Sequence, residues 1–203
     1  MNNTTFTYNQ ESGMSAGASQ FINETGAFKG KIDKCEYITS SGGALGLEFT
    51  FTSDEGMKAS YLTVYYKKKD GNQNKMGIDL INAMMGCCRL QQLTMQDVTG
   101  QNGVESIAPE FTDKTIGLFL QKILRTKQDG SDTYGFDIKI PFVHQTGKTL
   151  SEQLKGTDAL TIGKMSLSIK DKDERANSNQ ANAGGFNHQE GAPSQDALDS
   201  YGW

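Results

Sequence analysis

An all-β fold, β-dominated with one or two helices, is predicted by three features of this sequence. Gly is abundant (23 of 203 residues) while Pro is scarce (3), so tight turns are plentiful. Several stretches alternate apolar and polar side chains with a period of two, between clusters of Gly, Asp and Ser. Only one long stretch, 75–90, carries its apolar residues at helical spacing.

The length suits one domain of ordinary size plus a tail, or two small domains. A hydrophobic fraction of 35% and a mean hydropathy of −0.55 are low for a fully packed chain, so part of it is expected to be unstructured. The net charge is −4, but it is unevenly placed. From Ala176 onward there is no Lys or Arg, while Glu190, Asp196 and Asp199 are acidic. The body is close to neutral, so a nucleic-acid surface would have to be a local basic patch. Three cysteines, Cys35, Cys87 and Cys88, make a poor disulfide framework and point to a reducing compartment. No apolar run approaches the ~20 residues needed to cross a bilayer, and the start of the chain does not read as a secretory signal. A soluble, cytoplasmic protein is expected.

Residues 1–25 are polar and read as an N-terminal arm. The first strand, 26–39, carries Phe28, Gly30 and Ile32 on one face and Lys29 and Lys31 on the other. Its alternation slips near Cys35, as at a bulge. After a Ser-Ser-Gly-Gly turn at 40–43, the stretch 44–53 alternates Leu45, Leu47, Phe49 and Phe51 with small or polar residues. A turn at 54–56 leads to the third strand, 58–69, rich in aromatic and β-branched residues. Leu62, Val64 and Tyr66 form its core face; Tyr61, Thr63, Tyr65 and Lys67 lie opposite. The three strands form a meander whose outer face gathers Lys29, Lys31, Tyr61, Tyr65 and Lys67.

In the helix at 75–90, the Met and Cys residues read as core. The stretch 91–113 reads as irregular, with a turn at 100–103. A hairpin follows. Its first strand, 115–128, sets Ile116, Leu118 and Leu120 against Phe119, Gln121, Ile123, Arg125 and Lys127. Its second, 134–143, sets Phe136, Ile138 and Ile140 against Lys139. Residues 150–155 suit a short helical turn, and 161–169 fit strand or helix equally. The mixed charges of 170–175 mark a domain end. The Asn/Gln/Gly/Ala-rich stretch 177–192 cannot fold alone. Beyond it, the acidic and aromatic residues 196–203 read as a tethered ligand for another protein.

Catalytic and metal chemistry are not indicated. His144 and His188 are far apart and no Cys-x-x-Cys occurs. Gly147-Lys148-Thr149 lacks the leading glycine of a phosphate loop, since Phe142 stands there. Asp33, Glu36 and Glu48 read as solvated carboxylates. No cofactor, no metal and no enzymatic activity are expected. What remains is the third strand. Its tyrosines suit stacking of unpaired bases, with lysine ammonium groups holding phosphates. The plainer alternative is a two-sided buried strand whose tyrosines find partners at the core edge.

Gly26-Ala-Phe-Lys-Gly-Lys-Ile-Asp-Lys-Cys-Glu-Tyr, with Ser40-Ser-Gly-Gly and Leu45-Gly-Leu-Glu-Phe-Thr-Phe, resembles a bacteriophage family similar to phage single-stranded DNA-binding proteins. The likeness covers residues 26–94. Asp196, Asp199, Tyr201 and Trp203 resemble the acidic, aromatic-ended tips through which such proteins recruit polymerases, helicases and recombination proteins, although Gly202 stands where a Pro is usual. The resemblance implies an OB-fold-like five-stranded barrel over 26–169, followed by a disordered acidic tail over 170–203. It also implies sequence-independent binding of single-stranded DNA in the host cytoplasm. The expected DNA contacts are Lys29, Lys31, Tyr37, Tyr61, Tyr65, Lys67, Lys69, Lys75, Arg125, Lys127 and Lys139. A homo-oligomer is compatible with this. A virion assembly protein, or a metal-dependent recombination nuclease, stands as the alternative.

Overall fold

The computed structural model describes residues 7–10, 20–100 and 103–175. Residues 176–203 of the expected tail, with the tip residues Asp196, Asp199, Tyr201 and Trp203, lie outside the described residues, while 170–175, expected to be disordered, run alongside the strand Thr115–Thr126. Strands dominate. β1 (Gly26–Thr39), β2 (Leu45–Ser53) and β3 (Lys58–Lys67) form the expected antiparallel meander. Helix α1 (Lys75–Cys87) follows, then a hairpin of β4 (Gln96–Gly100) and β5 (Gly103–Ile107), and a 3-10 turn at Pro109–Phe111. Strands β6 (Thr115–Thr126) and β7 (Asp132–Phe142) make the second expected hairpin. Helices α2 (Leu150–Lys155) and α3 (Thr161–Ser168) and a two-residue β8 (Lys172–Asp173) complete the described chain.

Because β6 pairs with the first half of β1, the central strands run in the order β3-β2-β1-β6-β7. This is a five-stranded, partly open barrel-like sheet with its helix between the third and fourth central strands, as the OB-fold-like expectation requires. β7 returns alongside β3, but no ladder joins them. α1 packs against both strands and fills that seam, sending Ile81, Met84 and Cys87 into the core beside Leu62, Val64 and Ile138. The β4–β5 hairpin extends the sheet from the far half of β1, where Ile107 pairs with Glu36.

The core spacing is odd at two places, and a bulge absorbs each odd step. Ile32 and Cys35 are both fully buried three residues apart, and the β1–β2 register shifts between Ile32 and Lys34, as the slipped alternation predicts. On β3, Ala59 and Leu62 are both buried while Ser60 and Tyr61 together oppose Thr50. A third shift, between Phe119 and Leu120, leaves Lys139 of β7 as the extra residue. It pairs Ile140 with Phe119, so Ile140 does not share a face with Ile138 as the alternation suggested. Phe111, delivered by the 3-10 turn, meets Phe49 edge-on at 5.3 Å between ring centres.

Other expectations are corrected. The stretch 91–113 contains the β4–β5 hairpin; its strands carry few apolar residues because they flank the barrel without covering it. The undecided 161–169 is mostly helix, with Ile162 and Met165 half-buried. Phe119 and Ile123 are fully buried although they lie opposite the Leu118–Leu120 face. There the C-terminal segment runs alongside β6: β8 pairs parallel to it, and Gln121 donates to the Lys170 carbonyl at 2.7 Å. The folded body is also wider than 26–169. Ile22 is buried, its N–H bonds to the Lys58 carbonyl, and Thr25 joins Lys122 N–H to Asp171.

Gly77 of α1 sits against the backbone of β3: a Cβ there would lie 1.8 Å from the Tyr65 carbonyl oxygen. In an isolated helix Gly→Ala gains about 1 kcal/mol. Here the helix must move off the strand, so Gly77→Ala is expected to destabilise by about 2 kcal/mol or more, read by denaturant unfolding.

Glu152 holds the end of the fold. Its carboxylate accepts from the Thr149 N–H and hydroxyl and from Leu160 N–H, Thr161 N–H and the Thr161 hydroxyl, at 2.7–3.0 Å. Gly147-Lys148-Thr149 is thus a helix start, with Thr149 as cap. Burial raises the Glu152 pKa, but the bonds from Thr161 and Thr149 outweigh it and hold the group at about 2. A depressed carboxylate pKa contributes stability that is present above pH ~4.5 and lost as pH falls toward 2. Glu152→Gln should cost about 1–3 kcal/mol at pH 7 and flatten the loss of stability between pH 4.5 and 2, measured by unfolding at stepped pH.

Candidate nucleic-acid interface

β3 carries two of its three tyrosines outward. Tyr61 is 79% exposed and Tyr65 38% exposed, four residues apart on one face, or about 13 Å along the strand. The core face is Leu62 and Val64, with Tyr66 half-buried against the core. Tyr65 lies across Gly46 of β2: a Cβ on that glycine would come 3.0 Å from the ring. Gly46 therefore gives the ring a flat bed.

Tyr61 is held differently. Its φ is +60° at the β3 bulge, a left-handed conformation that costs a non-glycine residue about 1–2 kcal/mol. Its hydroxyl makes no hydrogen bond among the described residues. The fold needs a residue at this bulge; it does not need a ring.

β3 ends in Lys67, and the tight turn behind it carries Lys68 and Lys69, closed by Lys68 N–H to Asn72 O and Gly71 N–H to Lys68 O. All three lysines are exposed and none joins an ion pair among the described residues. Beyond the turn, Lys75 is tied to Asp79 at 2.7 Å. A groove of about 640 Å³ lies in the seam between β3, α1 and β7, lined among others by Tyr65, Asn74, Met76, Asp137 and Lys139. The bulge at Lys139 turns that side chain outward here, beside Tyr65.

The remaining expected contacts do not join this cluster. Tyr37 is paired with Leu47 and lies on the core side, its hydroxyl donating to the Thr94 carbonyl at 3.3 Å; burial raises its pKa. It caps the core edge, because the bulge at Asp33 reverses the parity of the second half of β1. Lys31 bonds Asp113 at 3.2 Å and lies 3.7 Å from Asp33, and Asp113 first, then Asp33, raises its pKa. Lys29 is exposed at the opposite end of β1, beside Asp54 and Glu55. Arg125, 3.5 Å from Glu174, and Lys127 stand toward the far end of the β6–β7 hairpin.

Three features were not read from the sequence. Met76 is 84% exposed at the groove. Tyr134 carries the Lys122 ammonium 4.7 Å from its ring centre and meets Phe136 edge-on. Glu36 stands directly across from Glu48 on the outer face of β1 and β2. The aromatic-basic signal of Tyr134 was available in the alternation of 134–143, but its lysine lies on the partner strand, which no local pattern reveals.

Other chemistry is quiet. Among the described residues no group of three or more His, Cys, Asp or Glu is placed to hold a metal ion. His144 contacts Asp54 at 2.9 Å, joining a loop to the β2–β3 turn. Burial pushes the Cys87 and Cys88 thiols up to about 11 and 12 and Cys35 higher still, so these are packing residues. No family model and no curated protein matches this chain.

Tyr61→Gly relieves the left-handed strain but adds chain entropy to the unfolded state, roughly 0.5–1 kcal/mol. Its stability is expected to equal the parent's or exceed it by up to about 1 kcal/mol, whereas Tyr61→Ala keeps the strain and gains nothing. Paired urea titrations check the difference.

Proposed function

We propose that this chain is a phage single-stranded DNA-binding protein that binds without sequence preference. The observation that carries the reading is Tyr61: a ring held out in solvent, at an energetic cost, on the same face as Tyr65 and leading to Lys67–Lys69. Bases would stack on the two rings at roughly 1–3 kcal/mol each. Lys67, Lys68, Lys69 and Lys139 would neutralise phosphates, which gives little sequence discrimination and strong salt dependence. In this reading the residues Asp196, Asp199, Tyr201 and Trp203 dock replication or recombination proteins, and the host cytoplasm is the site of action. No helix among the described residues is long and apolar enough to cross a membrane.

One observation favours a second reading. Among the described residues β4 ends the sheet, beside the exposed Val104, and such an edge can pair with another chain, as a virion assembly protein would require.

The test is an anisotropy titration of end-labelled oligo-dT and a matched duplex at two salt concentrations. Tight single-strand binding that exceeds duplex binding and weakens with salt is expected. Tyr61→Ala and Tyr65→Ala should each weaken it about 5- to 100-fold. Folded protein that ignores the single strand at low salt would sink this reading, and oligomers indifferent to DNA would favour assembly.

A further inference from the structure

We propose that a bound single strand runs lengthwise along β3 and through the β3–α1–β7 groove, and does not cross the outer faces of β1 and β2. This rests on the single-strand reading and adds the path. The charge on the two sides of β3 differs sharply. On the β2 and β1 side, Glu48 accepts from Thr63, the residue between the two tyrosines, at 3.1 Å. Glu36 stands across from Glu48, and Asp33 accepts from Thr52. The two lysines in the middle of this face are already engaged: Lys34 by Glu36 and Glu105, Lys31 by Asp113 and Asp33. A phosphate backbone crossing level with Tyr61 to Tyr65 would meet carboxylates first, since the unpaired ammonium groups of this side, Lys29 and Lys58, stand at the far ends of their strands, and like charges at such distances repel strongly when water is displaced.

On the β7 side the carboxylates are fewer and one ammonium group is unpaired. Lys139 joins no ion pair among the described residues and is aimed outward by its bulge. The groove's Asp79 is already neutralised by Lys75; Asp137 is the carboxylate left on its rim. Tyr65 forms one wall, while the exposed thioether of Met76 offers a soft apolar contact for a base. The volume of about 640 Å³ is within the range that takes a compact organic ligand. The groove continues past Ala83, Ile140 and Pro141 into a second hollow of about 450 Å³ that ends at Leu154 and Lys155. A path along β3 therefore has somewhere to go. The path across the sheet does not.

The test compares Lys139→Ala with Lys31→Ala in the oligo-dT titration, each first checked for unchanged thermal unfolding. Lys139→Ala should weaken binding 3- to 10-fold and reduce the salt slope by about one. Lys31→Ala should stay within twofold with the slope intact. Independently, p-benzoylphenylalanine placed at Met76 should crosslink labelled oligo-dT on irradiation, and the same group at Glu36 should not, even though that substitution removes a repelling carboxylate. Equal losses from the two lysine variants, or crosslinking from position 36 as strong as from 76, overturns the path. A parent protein that binds no single strand removes the single-strand reading itself, and the path with it.

Discussion

The constraint on which this structure depends is the parity of the β-strand. Side chains alternate strictly, so two core residues separated by an odd number of positions cannot both face inward unless the backbone takes an extra step. Ile32 and Cys35 on β1, and Ala59 and Leu62 on β3, are such pairs, and all four are buried. Without the bulges, everything beyond each odd step would turn outward. On β3 that means Leu62 and Val64, each contributing roughly 1.5–3 kcal/mol by burial. The bulges also bend the strands, which a curved sheet needs in any case.

The same device shapes the candidate interface. A bulge leaves one residue outside the pairing, and where the core does not claim it the side chain points outward. At the bulge opposite Thr50 on β3 that residue is Tyr61, and on β7 it is Lys139, whereas the extra Tyr66 at the end of β3 packs on the core. The bulge at Asp33 works in the other direction, reversing β1 so that Tyr37 packs beside Leu47 and not beside the exposed tyrosines. α1 then fixes the distance between the two functional edges. Gly77 lets its backbone lie on Tyr65, and Ile81 and Met84 anchor it in the core. Core packing and interface geometry are therefore one arrangement.

This explains what could be read from the chain and what could not. The meander was legible because β1, β2 and β3 carry dense apolar alternation; the bounds of β1 and the slip near Cys35 were visible directly. Tyr61 and Tyr65 were placed on the face opposite Leu62 and Val64 by alternation, but whether that face was exposed or buried on a two-sided strand was not legible. The β4–β5 hairpin was not legible, since strands that flank a barrel without covering it need no alternation. Nor were the burial of Phe119 and Ile123, which depends on a segment about 50 residues later, or the pairing of Lys31 with Asp113. Contacts of that kind belong to topology. A candidate list drawn from residue type alone therefore mixes free lysines with committed ones.

That distinction bears on how a chain of net charge −4 could hold a polyanion at all. Exposed ion pairs such as Lys31–Asp113 and Lys34–Glu36 add little to stability, typically under about 1 kcal/mol. Their larger effect is on the local field, because each cancels a cation that would otherwise attract phosphate. Salt screens charges beyond about 8–10 Å, so a bound strand senses the nearest side chains and not the sum over the molecule. With Lys31 and Lys34 cancelled, the unpaired cations around the exposed tyrosines, among the described residues, are Lys67, Lys68, Lys69 and Lys139, grouped at one end of β3 and across its seam, and Lys58 at the strand's other end. The acidic pairs on β1 and β2 thus narrow the attractive surface to a strip along β3, and the strip carries the exposed rings of Tyr61 and Tyr65.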